Sequence, residues 1–174
     1  MGSPSRRRLA LACALFWLGC SPTGGDAELA ARCPAVLADA ALPTTPSDAV
    51  EARAAGRRWD DRAIRELYLC RVRRIGAEDE AHRAAGLDAE TRARRAFETR
   101  HGARLTARAM MADAAQVAAL EARDRAKYGA PDGPSWDWLV ERARDRGLSG
   151  DAVYLSIVES AQKTNAAVDE SLGL

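Results

Sequence analysis

The clearest apolar periodicity in the chain lies between residues 60 and 76. Apolar side chains recur there at the spacing of one buried helix face: Ile64, Leu67, Tyr68, Val72 and Ile75. Asp60 or Asp61 is placed to cap the start of this helix, and Gly76 is expected to end it. Arginines occupy the opposite face, which we interpret as a solvated surface, with an anion-binding stripe as the alternative.

The same spacing and cap residues predict helices along most of the remaining chain. The expected starts of these helices are Pro34, Ser47, Ala77, Asp88, Asp113, Ser135 and Ser149. A helix that surrounds Leu29 to Ala41, with Pro34 inside it, is the alternative to the start at Pro34. Alternation typical of β-strands and repeats of fixed period are both absent from the sequence. The predicted fold class is therefore all-α, a small irregular bundle of about five to seven helices.

The long helix after Asp88 is expected to bury a stripe of mainly small residues. That stripe consists of Ala89, Ala93, Ala96, Phe97, His101, Leu105, Ala109 and Ala112. We interpret His101 on this stripe as a core histidine. The next helix is expected to turn Val117, Leu120 and Ala126 inward.

The first nineteen residues have a different pattern. A cationic cluster, Arg6 to Arg8, is followed by an apolar run over residues 9–18. This run is shorter than the roughly 20 apolar residues that a membrane-spanning helix needs. A positive start, a short apolar core and a small residue at its end are typical of a cleaved secretory signal.

The end of this segment, Leu18-Gly19-Cys20-Ser21, resembles the lipobox of bacterial lipoproteins, with Trp17 where that family usually has leucine. The resemblance implies that Cys20 is the lipidation site and becomes the first residue after cleavage. It divides the chain into a signal peptide (1–19), a lipidated tether (20–27) and a helical domain (28–174). The protein is expected in the bacterial cell envelope, where the N-terminal lipid attaches it to a membrane. The outer membrane is the preferred site, with the domain facing the periplasm.

The sequence is compatible with two export routes. Residues 5–9, Ser-Arg-Arg-Arg-Leu, also resemble the start of a twin-arginine signal, which directs folded proteins across the membrane. The general secretory route is the alternative.

Charge excludes one class of partner. Removal of residues 1–19 takes away three arginines and leaves 23 basic and 25 acidic residues. The basic footprint of a nucleic-acid-binding protein is missing, so no nucleic acid is expected as a partner. The remaining length suits one domain, and its core is expected to be thin because aromatic residues make up only 5% of the chain.

Two cysteines remain beyond Cys20. An oxidising envelope favours a disulfide between Cys33 and Cys70, and two buried free thiols are the alternative. The sequence contains no C-x-x-C motif of the thioredoxin type.

The sequence predicts no catalytic or metal-binding site. Glu78 and His82 share a helix face, but without further ligands nearby we interpret them as a solvated turn. We therefore expect no metal and no cofactor. Serine-hydrolase, phosphate-loop and dinucleotide-binding motifs are absent from the sequence.

The most suggestive surface surrounds the Pro-Asp-Gly-Pro turn at residues 131–134. Tyr128, Trp136 and Trp138 lie close to this turn and form a candidate patch for an envelope protein or the cell wall. Trp136 and Trp138 cannot share one helix face, so Trp136 is expected to be the more buried of the two and Trp138 is the better candidate for a surface ring. The alternative is that both rings close the end of the core.

The sequence leaves two hypotheses for function. The first is a non-enzymatic envelope lipoprotein whose helical domain binds a partner or has a structural role. The second is a small envelope enzyme with an unrecognised carboxylate site, which would require a concave pocket holding closely spaced Asp or Glu.

Overall fold

The computed structural model describes residues 24–163 and Leu172. Seven helices occur in this part of the chain: α1 (Gly24–Ala38), α2 (Pro46–Ala54), α3 (Asp61–Ala84), α4 (Ala89–Met110), α5 (Ala114–Tyr128), α6 (Trp136–Asp145) and α7 (Asp151–Gln162). The same residues contain no strand. The prediction of a small all-α bundle is therefore confirmed.

Helix α4 lies at the centre of the bundle. It packs against α2, α3 and α7, while α1 packs mainly on α3, and α6 packs on α7. The apolar face predicted for α3 is fully buried, from Ile64 to Ile75. Opposite it, α4 contributes small side chains such as Ala93 and Ala107, which allow the helix backbones to approach closely.

Helix α3 continues past the position where the sequence analysis ended it. Its 24 residues run through Gly76, so the predicted stop at Gly76 and the separate start at Ala77 are wrong. Glycine inside a helix costs only about 1 kcal/mol relative to alanine. The burial of Val72 and Ile75, just before the glycine, offsets that cost.

Helix α1 begins earlier than expected. It starts at Gly24, within the segment assigned to the tether, and it contains Pro34 instead of beginning there. Proline removes one hydrogen bond from the helix interior. The burial of Leu29 and Cys33 before Pro34, with Val36 and Leu37 packed after it, holds the helix together across that gap.

The caps of α2 and α7 also differ from the prediction. Thr45, not Ser47, caps α2, because Pro46 occupies the first helical position and Asp48 completes a reciprocal capping box. Helix α7 follows Gly150, not Ser149, and has no side-chain cap. Gly150 has φ +54° and ψ −141°, a backbone conformation that favours glycine. The predicted caps at Asp60, Asp88, Asp113 and Ser135 are confirmed.

A disulfide joins Cys33 of α1 to Cys70 of α3, with 5.1 Å between the two Cα atoms. The predicted pairing is confirmed, and the alternative of two free thiols is wrong. An ion pair lies beside it, in which Arg32 Nη2 donates to Glu66 Oε1 at 2.8 Å. The covalent bond and this pair both fasten α1 to the face of α3.

The predicted signal peptide and Cys20 lie outside the described residues. Within the part of the chain that the structure describes, no helix has both the length and the apolar character needed to cross a membrane.

Candidate functional site

Helices α4, α5, α6 and α7 surround a cavity of about 510 Å³. Its walls include Arg104 from α4, Asp124 from α5, Trp138 from α6 and Ile157 from α7. This volume lies within the range of small-molecule sites in proteins. The cavity is therefore the candidate functional site of the described chain.

The lining of the cavity is strongly cationic. Six basic side chains reach it: Arg100, Arg104, Arg123, Lys127, Arg142 and Arg146. Asp124 is the single carboxylate among the described residues that line the cavity. A domain whose overall charge is near balance thus concentrates positive charge at one place.

Asp124 is the centre of a buried ion cluster. Arg108 donates from Nη2 to Asp124 Oδ2 and from Nη1 to the carbonyl oxygen of Pro131 at 2.7 Å. Arg104 Nη1 lies 3.8 Å from the same Oδ2, and Arg123 Nη2 lies 3.6 Å from Oδ1. Three guanidinium groups therefore share one carboxylate.

Arg104 is the least satisfied member of this cluster. The residue is only 8% exposed, and its Nε is buried without a hydrogen-bond partner among the described residues. The turn between α5 and α6 closes over its guanidinium group at Gly133, which has φ +99°. A Cβ atom at Gly133 would lie 1.8 Å from Arg104 Nη1, so only glycine leaves room for the arginine in this position.

The remaining cations are held in other ways. Arg100 Nη1 donates to the carbonyl oxygens of Ser160, Ala161 and Lys163 and so caps the C-terminus of α7. Lys127 Nζ lies 5.2 Å from the centre of the Tyr128 ring. Arg142 of α6 and Arg146, the C-cap residue of that helix, are both exposed and lie at the rim of the cavity.

His101 lines the cavity and is half-buried, so the prediction of a core histidine is wrong in part. Its ring stacks on Phe97, with 5.3 Å between the ring centres. Burial, followed by the positive charge of Arg104, lowers the pKa of the imidazole. The neutral form of His101 is therefore favoured, and the charge of the site comes from the arginines and Lys127.

The structure divides the predicted aromatic patch into two. Tyr128 and Trp138 meet edge to face, with 4.9 Å between ring centres, and both line the cavity. Trp136 lies on another face of α6, where it stacks on Tyr154 and lies under Arg94. Trp136 and Trp138 are both half-buried, but only Trp136 packs against the apolar core.

Glu78 and His82 are not brought together with other metal-binding side chains. Glu78 accepts from Arg74 Nη2 at 2.6 Å, and the Nε2 of His82 lies 3.0 Å from Arg95 Nη1. Across residues 24–163 no group of three His, Cys, Asp or Glu side chains is arranged to hold a metal ion.

The burial of the α4 arginines was not predicted. Leu105, Ala109 and Ala112 were expected to face the core, whereas Leu105 and Ala109 are half-buried and Ala112 is exposed. The structure buries Arg104 and Arg108 instead. On α5 Leu120 is buried as predicted, but Asp124 is buried in place of Ala126. The available signal was the spacing of Arg100, Arg104 and Arg108, which puts three cations on one helix face without an acid between them.

Comparison of the chain with protein-family models, with curated proteins and with solved structures found no match. The cavity and the N-terminal sequence are therefore the two features that bear on function.

Proposed function

We propose that this chain is an exported lipoprotein of the bacterial cell envelope whose helical domain binds an anionic ligand in the cavity without transforming it. The observation that carries the proposal is Arg104, a buried guanidinium group that shares the carboxylate of Asp124 with the buried Arg108. Arginine keeps its charge in proteins. A buried charge is costly unless it is paired, so the cluster has positive charge in excess that a bound anion would neutralise.

The carboxylate in the cavity supports binding over catalysis. A general base must reach the proton that it removes. Asp124 is instead surrounded by Arg104, Arg108 and Arg123, and it is only 3% exposed. The closely spaced acids that the enzyme hypothesis requires are not found among the described residues that line the cavity.

The aromatic side chains receive different roles in this proposal. Tyr128 and Trp138 line the cavity, so we assign them to contact with the ligand and not to a convex surface for a protein or the cell wall. Trp136 stacks between Tyr154 and Arg94, and we assign it to packing.

The lipid anchor and the envelope location rest on the N-terminal sequence. Cys20 and its flanking residues resemble a lipobox, and the segment before them has the pattern of a secretory signal. The disulfide between Cys33 and Cys70 gives independent support, because disulfides persist in oxidising compartments such as the periplasm. The proposed site is the outer membrane, with the domain facing the periplasm.

Replacement of the lipidated cysteine tests the anchor. Intact-mass measurement of the membrane fraction should find a chain that begins at Cys20 and carries acyl groups. Cys20→Ser should abolish acylation, because the lipid is attached to that thiol. Cys13→Ser is the matched control and should leave the mature mass unchanged, because residue 13 is removed with the signal. A mature chain without acyl groups would contradict the proposal.

Inorganic phosphate provides a direct test of anion binding. The mature protein, purified in detergent, should melt about 3–6 °C higher when phosphate exceeds its dissociation constant tenfold at constant ionic strength. Arg104→Met should lose this shift. Arg125→Met removes an exposed arginine of the same helix as Asp124 and should keep it. If the melting temperatures of the wild type, Arg104→Met and Arg125→Met all rise equally, phosphate stabilises the protein by its general effect as a salt. That result would overturn the proposal.

A further inference from the structure

The cavity has an apolar wall beside its cationic one. Tyr128 and Trp138 form a right-angled aromatic corner, and Leu139 lies next to them on α6. From the opposite side α7 contributes Ile157 and Ala161, which are 3% and 5% exposed. An aromatic or branched apolar group placed between these walls would be shielded from water on two sides.

The buried part of the cationic lining is formed by Arg104 and Asp124. The guanidinium group of Arg104 passes close to Gly133, and its Nη1 lies 3.8 Å from Asp124 Oδ2. Both residues are more than nine-tenths buried, whereas Trp138 and Tyr128 are half-buried. Arg104 and Asp124 are therefore more buried than the two aromatic rings, and an anion paired with Arg104 would be better shielded from water than a group that contacts only the rings.

We propose that the ligand is an amphipathic anion: a phosphate, sulfonate or carboxylate group joined to an aromatic or branched apolar group. The inference rests on the proposed function and specifies its ligand. The anionic group binds Arg104 at the inner end, and the apolar group lies between the Tyr128–Trp138 corner and α7.

The size of the cavity argues against a simple inorganic ion as the natural ligand. One water molecule takes about 30 Å³ of liquid volume, so a lone ion would leave most of the 510 Å³ filled with water. Much of that water would lie against Trp138, Leu139 and Ile157. Its displacement by an apolar group is favourable and adds affinity that an inorganic ion cannot obtain.

The rim of the cavity fits the same ligand class. Arg142 and Arg146 are exposed, and no ion pair with a described carboxylate holds either of them. Exposed charges of this kind raise the association rate of an oppositely charged ligand more than its affinity. Removal of both charges should slow association and weaken its dependence on salt.

Titration calorimetry with three probes tests the inference on the mature protein in detergent. The probes are inorganic phosphate, phenyl phosphate and phenol, which carry the anionic part alone, both parts, and the apolar part alone. Phenyl phosphate should bind roughly 10- to 100-fold tighter than inorganic phosphate, the gain expected for the burial of one aromatic ring. Phenol should bind more weakly than phenyl phosphate by a similar or larger factor.

Two variants separate the parts of the site. Trp138→Ala should weaken phenyl phosphate binding about tenfold and leave inorganic phosphate within about twofold. Arg104→Met should abolish the binding of both anions. If Trp138→Ala fails to fold, Tyr128→Leu removes the other half of the aromatic corner and should give the same selective loss.

The outcomes distinguish this inference from the proposed function. Equal affinities for the two phosphates would overturn the amphipathic ligand and leave anion binding intact. Phenol binding as tightly as phenyl phosphate would also overturn the amphipathic ligand, and no binding of either phosphate would overturn both the inference and the proposed function. Tighter phenyl phosphate binding that is lost in Trp138→Ala, with inorganic phosphate binding kept, supports the inference.

Discussion

Reduction of the disulfide between Cys33 and Cys70 is expected to lower the free energy of unfolding by about 4 kcal/mol. The two cysteines are 37 residues apart, so the bond closes a long loop and removes many conformations from the unfolded chain. The bond joins α1 to α3, the helix against which α1 mainly packs. For a domain of this size the melting temperature should fall by roughly 8–16 °C.

Thermal unfolding followed by circular dichroism, with and without reductant, measures this effect. The double variant Cys33→Ser/Cys70→Ser is the control, since it should melt at the lower temperature and should not respond to reductant. Hydrogen exchange should also show that α1 loses protection before α4. A wild-type melting temperature that reductant leaves unchanged would contradict the role assigned to the bond.

Asp124→Asn should destabilise the protein by about 3–5 kcal/mol, the cost of the removal of one partner from a buried ion pair. The carboxylate of Asp124 forms ion pairs with Arg104, Arg108 and Arg123. Asparagine keeps the shape of the side chain but removes its charge, so the guanidinium groups would repel one another without compensation. Urea unfolding at neutral pH measures the loss.

Asp145→Asn is the matched control for this change. Asp145 is an exposed acid at the end of α6, and its replacement should alter stability by no more than about 0.5 kcal/mol. If Asp124→Asn also changes the free energy of unfolding by no more than this amount, the arginine cluster is solvated, and it holds no buried positive charge for a ligand to neutralise.

The helices were predictable because local signals specify them. Caps such as Asp60, Asp88 and Ser135 lie directly before apolar periodicity, and the face of α3 is apolar enough to be recognised alone. Errors arose where tertiary packing outweighed a local preference, as at Gly76 inside α3 and Pro34 inside α1. The burial of neighbouring side chains offset the cost of each of these residues.

The cavity could be predicted only in part. Tyr128 and Trp138 were recognised as unusual because they flank a strong turn signal, and they do line the site. The cationic end could not be recognised, since arginines are abundant throughout the sequence and most of them are solvated. Arg104 differs from the solvated arginines only in the folded structure, where α5 places Asp124 beside it and the turn after α5 places Gly133 close to its guanidinium group. Those contacts join residues 20 and 29 positions apart in the chain.

The free energy of unfolding of Arg104→Met, measured in chloride buffer and again with phenyl phosphate, tests the central claim most directly. Without ligand the variant should be as stable as the wild type or more stable by up to about 2 kcal/mol, because an uncompensated buried charge has been removed while Arg108 and Arg123 still neutralise Asp124. With phenyl phosphate the wild type alone should gain stability. If Arg104→Met is instead destabilised by several kcal/mol in chloride, or if phenyl phosphate stabilises it as much as the wild type, Arg104 is a structural cation and the cavity is not an anion-binding site.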